Sequence, residues 1–560
     1  MTHCRPSLFV AFLAALALLP NAARAQDMEF SVDDAGDGDA DEEAQPAADP
    51  PEAGEPSEDL KGALVLYEKG DYTQAAIELQ KVIDGETNDD EGNKQRAQFF
   101  LAKAMFHLKF FQPALANFDE ITELGQGHLY FDASLQWLAQ LATELPEPAG
   151  IIEKVGRYGL DQLEQFDTAE NEQLYNHLLY LMGRHKYDQG AFEEAIELFT
   201  KVEPSSDYYV KAKFFEGITH VRERQARPAI AAFRAIVEGI DEGDVEAGDE
   251  EDRLRNLAWI SLARVYYTAS NRTDPETGEQ TIDGRLLGQA VESWNQVEQG
   301  SEYWLDAVFE SSWAFFLADE YSRALGNVHT LYSPYFRNAY YPEALVLKAV
   351  TFFVNCQMEN AEATVYRFHE RFDPVKKELD EVLARFQDNT EFFEFLKRVR
   401  TGEADLSPRI RGIVASALSD RTVLAHLEYA RILDAEEERL EQASKAFQDS
   451  SAGSRVLQDV AIAKSFAIDE TGDLVRGRYE RLIRELQDLM NQIDAVDLEV
   501  ATYQRGQLTQ RAKEQMTAAA ESEGGQVEVD EEHQLWPFDG EYWRDELGFY
   551  RQQVTNQCGR

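Results

Sequence analysis

Residues 183–199, GRHKYDQGAFEEAIELF, return 34 positions later as residues 217–233, GITHVRERQARPAIAAF, and this correspondence decides the fold. Gly183, Phe192, Ala195 and Phe199 are matched by Gly217, Ala226, Ala229 and Phe233, and further along Ala290 and Trp294 are matched at the same interval by Ala324 and Val328. Each stretch reads as two amphipathic helices, A and B, joined by a short turn. A small residue in helix A and another early in helix B let the two axes approach closely. The bulky residue one helical turn later fills the groove between neighbouring pairs.

The pattern extends in both directions. Ala75, Ala114, Ala195, Ala229, Ala290, Ala324 and Ala361 hold the small position, and Leu79, Phe118, Phe199, Phe233, Trp294, Val328 and Val365 hold the bulky one four residues on. The turn before helix B recurs as Gly70-Asp71-Tyr72, Gln189-Gly190-Ala191-Phe192 and Asp319-Glu320-Tyr321. Spacing departs to 39 between Ala75 and Ala114 and to 37 between Ala324 and Ala361. The interval from Ala114 to Ala195 has room for a degenerate pair around Phe131 to Leu163. Residues 61–372 thus resemble the tetratricopeptide repeat family. The expected class is all-α: a tetratricopeptide-like α-solenoid, then a long helical hairpin or coiled coil and a short aromatic C-terminal helix. Such an array offers a concave groove lined by A helices that takes an extended or helical peptide. The groove positions chosen on this reading are Tyr175, Lys213, Arg264 and Lys348. Two inserts interrupt the array: the acidic run Asp241 to Asp252, read as a loop, and Asn271 to Arg285, whose Pro-Glu-Thr-Gly-Glu turn predicts a short hairpin between helices A and B.

Ahead of the array, Arg5, the apolar run Leu8 to Leu19 and the Ala23-Arg24-Ala25 triplet read as a secretory signal over residues 1–25. Residues 26–60 hold 14 Asp or Glu and no Lys or Arg, a composition that predicts a disordered acidic linker. Removal of the signal takes Cys4 with it and leaves Cys356 and Cys558, either as one long-range disulfide or as two separate thiols.

After the array, residues 373–415 read as a helical transition bounded by Pro374 and Pro408, with Phe392, Phe393 and Phe395 clustered. Within 416–520, Val475, Tyr479, Leu482, Leu486, Leu489, Ile493, Val496, Val500 and Tyr503 fall at alternating steps of four and three, a heptad seam. A shorter seam, Tyr429, Leu433, Leu440, Ala443 and Phe447, is interrupted by Glu436. Asp449 to Ser454 can reverse the chain between them. The first reading is an intramolecular antiparallel hairpin of the two seams; the competitor is a parallel homodimer through the longer one. An acidic linker, 521–534, leads to an aromatic docking segment, 535–560. There Trp543, Leu547, Tyr550 and Val554 share one helical stripe, and Trp536 and Phe538 precede it. The segment either folds back onto its own helices or inserts into a partner, and Trp536, Phe538, Trp543 and Tyr550 are its candidate contacts.

The chain has 560 residues, 104 Asp+Glu against 54 Lys+Arg, and a formal charge of −50. That field repels phosphate backbones and anionic headgroups, so nucleic-acid partners are excluded. No nucleophile elbow, phosphate-cradling loop or zinc-binding His-Glu-x-x-His occurs, and the histidines are scattered. His177 and His185 stand eight apart, unsuited to one metal. No catalytic, cofactor or metal residue is assigned, and no membrane span is expected after the signal. The layout also resembles exported repeat proteins of deltaproteobacterial envelopes, among them components of myxobacterial gliding machinery, on the array, the helical segment after it and the Trp-Pro-Phe to Phe-Tyr tail. That resemblance implies a periplasmic, non-enzymatic scaffold whose partners are other envelope proteins. The alternative is a client-binding factor for outer-membrane or cell-wall proteins.

Overall fold

The computed structural model describes residues 50–245, 250–273, 280–336, 339–514, 542–544 and 547–558. The signal segment, the acidic stretch as far as residue 49, the 521–534 linker, Trp536 and Phe538 lie outside the described residues.

Helix A and B alternate as expected: α1 (Glu58–Glu68) with α2 (Tyr72–Ile83), and α3 (Glu91–His107) with α4 (Phe111–Leu124). The degenerate pair follows as α5 (Phe131–Glu144) with two single-turn helices, α6 (Ile151–Val155) and α7 (Leu160–Glu164). Regular pairs resume with α8 (Glu172–Asp188) and α9 (Phe192–Thr200), then α10 (Tyr209–Arg222) and α11 (Ala226–Glu242). Next come α12 (Glu251–Ser270) with α13 (Gly284–Asn295), α14 (Trp304–Leu317) with α15 (Tyr321–Leu331), and α16 (Pro342–Val354) with α17 (Met358–Leu383). Between α12 and α13, β1 (Asn271–Thr273) pairs antiparallel with β2 (Gln280–Ile282), which bears out the hairpin.

All seven small positions are fully buried, and the seven bulky ones are at most 5% exposed. Where helix A carries glycine, the reason is steric. A β-carbon on Gly183 would fall 2.5 Å from the Phe199 ring, and one on Gly217 would fall 2.7 Å from Phe233. The A-to-B turns repeat one geometry. Gly70, Lys109, Gly190, Arg224, Asp319 and Cys356, each five residues before the small position, have φ between 55° and 78°. The amide of the next residue donates to a carbonyl five positions back, as in Asp71 N to Leu66 O (3.0 Å), Ala191 N to Lys186 O (2.9 Å) and Gln357 N to Phe352 O (2.9 Å). This is the left-handed C-cap that reverses a chain in the fewest residues.

The acidic linker ends sooner than expected. Gly54 N donates to Asp90 (2.7 Å), Ser57 donates from both backbone and hydroxyl to Asp89 (2.9 and 2.6 Å), and Leu60 is fully buried in α1. The boundary drawn at residue 372 falls inside α17, which runs on through Pro374 to Leu383.

The remaining helices are α18 (Asn389–Thr401), α19 (Pro408–Ala417), α20 (Arg421–Gln442), α21 (Lys445–Gln448) and α22 (Ser451–Glu514). The chain divides into two compact units. The first comprises residues up to Val265 with Asp388–Arg398 and Leu418–Arg476; the second comprises Tyr266–Gln387, Val399–Ala417 and Gly477 onward.

In the first unit, α20 and the start of α22 form an antiparallel pair, with Lys464 Nζ bonded to Asp434 (2.7 Å) and Glu437 (2.6 Å). The pair packs on the early repeats, where Phe447 stacks on Phe110 and Arg455 pairs with Glu120. In the second unit, the heptad seam does not pair with the shorter seam as the expected hairpin would require. It runs antiparallel along α17: Tyr479 Oη donates to Leu379 O (3.2 Å), Asp494 meets His369 (3.0 Å) and Gln504 donates to Glu362 (3.3 Å). From Tyr479 onward six of its eight positions are buried. The physical cause is the 26-residue length of α17, which extends past its own repeat and supplies an apolar stripe, Phe368, Phe372, Val375, Leu379 and Val382. The predicted aromatic helix at the C-terminus is absent among the described residues: 547–549 make a turn and 551–557 are neither helix nor strand.

Candidate peptide-binding surfaces

The four positions chosen for the groove all lie on A helices. Tyr175 on α8, Lys213 on α10 and Arg264 on α12 are half-buried and belong to the first unit. Lys213 is already paired with Glu216 (2.6 Å). Lys348, on α16 in the second unit, has its pKa lowered by burial and by Arg367, with its ammonium 5.8 Å from the centroid of Phe352.

A surface already holding polypeptide lies beside Lys348. Along α15, Ser322, Gly326, His329 and Thr330 recur at helical spacing on one face, and at 100° per residue this face is opposite to the buried Ala324 and Val328. The C-terminal segment runs over it. Tyr542 stacks on His329 (centroids 4.4 Å, 8° between planes), and Tyr550 meets the same imidazole edge-on at 5.0 Å. Gly548 N donates to Thr330 Oγ1 (2.9 Å) and Gln552 N to Ser322 O (3.1 Å). Further on, Gln557 N donates to Asn355 O (2.9 Å) and Gln357 Nε2 to Thr555 O (2.8 Å). Leu547 is 2% exposed, whereas Trp543 is 46% exposed and its backbone is tied to the Tyr550 hydroxyl instead (2.7 Å). Cys558 closes the segment in a disulfide with Cys356. Of the two readings of the tail, the docked one is therefore observed, on the repeats and in extended form. Burial, with the charge of Lys348 second, pushes the His329 imidazole down to about 4, so it is neutral when stacked.

Elsewhere the chemistry is structural. His177 is 6% exposed and stacks on Tyr208 (3.9 Å), and its pKa is pushed down to about 3 chiefly by burial, as a packed histidine requires. A cleft of about 220 Å³ in the first unit is lined by Gln112, Pro148, Tyr429, Asp459 and Phe466, and it is smaller than the roughly 300 Å³ at which small-molecule sites begin. No cluster of His, Cys, Asp or Glu with metal-binding geometry occurs among the described residues, and no helix among them is long and apolar enough to cross a membrane.

Two features escaped the sequence reading. Glu436, which only interrupts a seam in sequence, is 1% exposed and accepts the amides of Phe111 (2.8 Å) and Gln112 (3.1 Å), capping α4. Gly326 looks like an idle helical glycine, yet a β-carbon there would fall 1.5 Å from Tyr550 O. The signal for both was a residue of the wrong type in a helical stripe.

The fold and these surfaces define a class, the helical-repeat proteins whose pairs stack in tandem. No protein-family model matches the chain, and no curated protein matches it. Among solved structures it is similar to the apo form of RapI, at 13% identity and a TM-score of 0.31 over 64% of this chain and 97% of that one. It is also similar to the apo form of the quorum sensor NprR from B. thuringiensis, at 12% and 0.27 over 72% and 97%. A circular tandem repeat protein with novel repeat topology follows at 14% and 0.12 over 79% and 98%. The tetratricopeptide-like description rests on the buried repeat positions and the shared turns.

Proposed function

We propose that this protein is a non-enzymatic scaffold that holds extended segments of other proteins on its helix pairs. The observation that carries the reading is the tail itself: tandem helices grip 542–558 through main-chain hydrogen bonds, and such bonds are indifferent to side-chain identity. The signal-like N-terminus and the Cys356–Cys558 pair suit an exported protein in an oxidising compartment, which in an envelope bacterium is the periplasm. In that setting the scaffold joins cell-envelope proteins into a complex, of which a motility machine is one form. The second reading, a client-binding factor for outer-membrane or cell-wall proteins, is favoured by the net charge of −50, which suits brief, screened encounters with cationic unfolded chains.

Affinity purification from native cells at rising salt separates the two. A scaffold keeps a small fixed set of partners at 1 M salt, a regime in which exposed ion pairs are screened to about 3 Å. A client carrier loses a broad, variable set. Recovery of no protein at any salt contradicts both.

A further inference from the structure

We infer that the outer face of α15, with the Asn355–Gln357 turn beside it, is a binding site for an extended, tyrosine-bearing segment of a partner protein. The chain's own tail is its resident competitor, and the Cys356–Cys558 disulfide is the latch that retains it. The inference rests on the scaffold reading and deepens it by naming the surface, the ligand class and the control of access.

Three observations carry it. First, the seat is shaped for main chain. Gly326 sits in a helix interior, where glycine is disfavoured against alanine, and only its missing side chain admits Tyr550 O. Thr330 Oγ1 and Ser322 O then meet the backbone amides of Gly548 and Gln552, four residues apart, so an extended segment can be read through its main chain, with Tyr542, Leu547 and Tyr550 as the anchors that a ligand would reproduce. Second, the tail is thinly held by its own contacts. From Arg551 to Cys558 no residue is buried, and the bonds that hold this stretch include Gln552 N to Ser322 O, Gln557 N to Asn355 O, Gln357 Nε2 to Thr555 O and the disulfide. Third, Cys356 occupies the left-handed turn position (φ 55°), where glycine serves two other pairs without strain. Lys109, Arg224 and Asp319 hold the same position in other pairs, and Cys356 differs from them in carrying a side chain that bonds the tail there.

Opening the latch is thiol–disulfide exchange with a dithiol reductant. Its thiolate attacks Sγ of Cys558, which is exposed, and the Cys356 thiolate leaves and takes up a proton. The second thiol of the reductant then resolves the mixed disulfide. Two electrons and two protons pass to the protein, leaving Cys356 and Cys558 as thiols and the reductant as its own disulfide. With the tether gone, docking of the tail becomes a reversible intramolecular equilibrium with which an external segment can compete.

The test uses the full chain and a fluorescent peptide of residues 542–557, YWRDELGFYRQQVTNQ. Anisotropy should show binding to the oxidised chain at least tenfold weaker than to the chain after dithiothreitol or to Cys356→Ser. Gly326→Leu in the Cys356→Ser background should abolish it, and Thr330→Val should weaken it several-fold. Circular dichroism confirms that each variant is folded. Hydrogen exchange at the Gly548 and Gln552 amides should quicken at least tenfold on reduction, while α14 amides stay protected. Equal binding to oxidised and reduced chains, binding indifferent to Gly326→Leu, or no binding to a folded Cys356→Ser chain at 1 mM peptide overturns the inference. None of these outcomes removes partners held on the A helices, so the scaffold reading is tested separately.

Discussion

Six residues with positive φ show how the array tolerates sequence drift. Gly70 and Gly190 turn the chain without cost and have open space around them, whereas Lys109 (φ 61°), Arg224 (φ 58°) and Asp319 (φ 59°) adopt the same conformation against their β-carbons. A left-handed residue costs about 1–2 kcal/mol, partly offset by the extra chain entropy of glycine. Lys109→Gly, Arg224→Gly and Asp319→Gly should therefore each stabilise the protein by about 0.5–1 kcal/mol, read as a higher urea midpoint, and Gly190→Ala should lower it by a similar amount. Glu436 makes a second prediction. Burial outweighs its two amide donors and Arg439 and pushes its carboxyl up to about 8. The folded state then binds a proton that the unfolded state releases near 4.5, so this contribution is full in acid and is lost as pH rises towards 8. Asp188 and Asp459, raised by burial to about 6, give way lower in the range, and His128 and His177, lowered by burial, act only below 6.5. Between pH 6.5 and 8 the first unit should lose about 1–2 kcal/mol. Glu436→Gln, which keeps the acceptor and loses the charge, should abolish that slope. Glu436→Ala should destabilise at every pH by about 1–3 kcal/mol, since two amides are then left without a partner.

At the scale of elements, the repeat was legible because its small and bulky positions are set by helix contact within one pair, a local constraint written at fixed spacing. Ala195 with Phe199 and Ala229 with Phe233 could not be exchanged without a clash or a void. What the heptad seam from Val475 to Tyr503 packs against could not be read the same way, because an apolar stripe specifies burial and not the surface that buries it. It found α17, 100 residues earlier in the chain at the Tyr479–Leu379 contact. The tail misled for a related reason: Trp543, Leu547, Tyr550 and Val554 carry a helical period, yet a 17-residue segment gains more from main-chain bonds to α15 and the disulfide than from a short isolated helix. That Tyr175, Lys213, Arg264 and Lys348 fall on A helices was legible, while the seat of the tail on α15 was not, since its signature is one glycine. Because the longer seam is occupied within the chain, light scattering should give the mass of a single chain with or without reductant. Leu486→Asp should lower the melting temperature at unchanged mass; a dimer that this substitution dissociates would contradict the assignment.

At the scale of the molecule, the helix pairs bury their repeat positions internally, and on the proposed reading the side chains left on the A helices serve other proteins, while a charge of −50 disfavours phosphate polymers. The central claim is that these pairs hold polypeptide. Crosslinking in the native cell followed by mass spectrometry tests it most directly. The account predicts links from Lys213 and Lys348, and from a photoreactive residue replacing Tyr175, to a small, reproducible set of proteins. Links confined to the chain itself, or scattered over abundant proteins without preference for the A helices and the α15 strip, would contradict it.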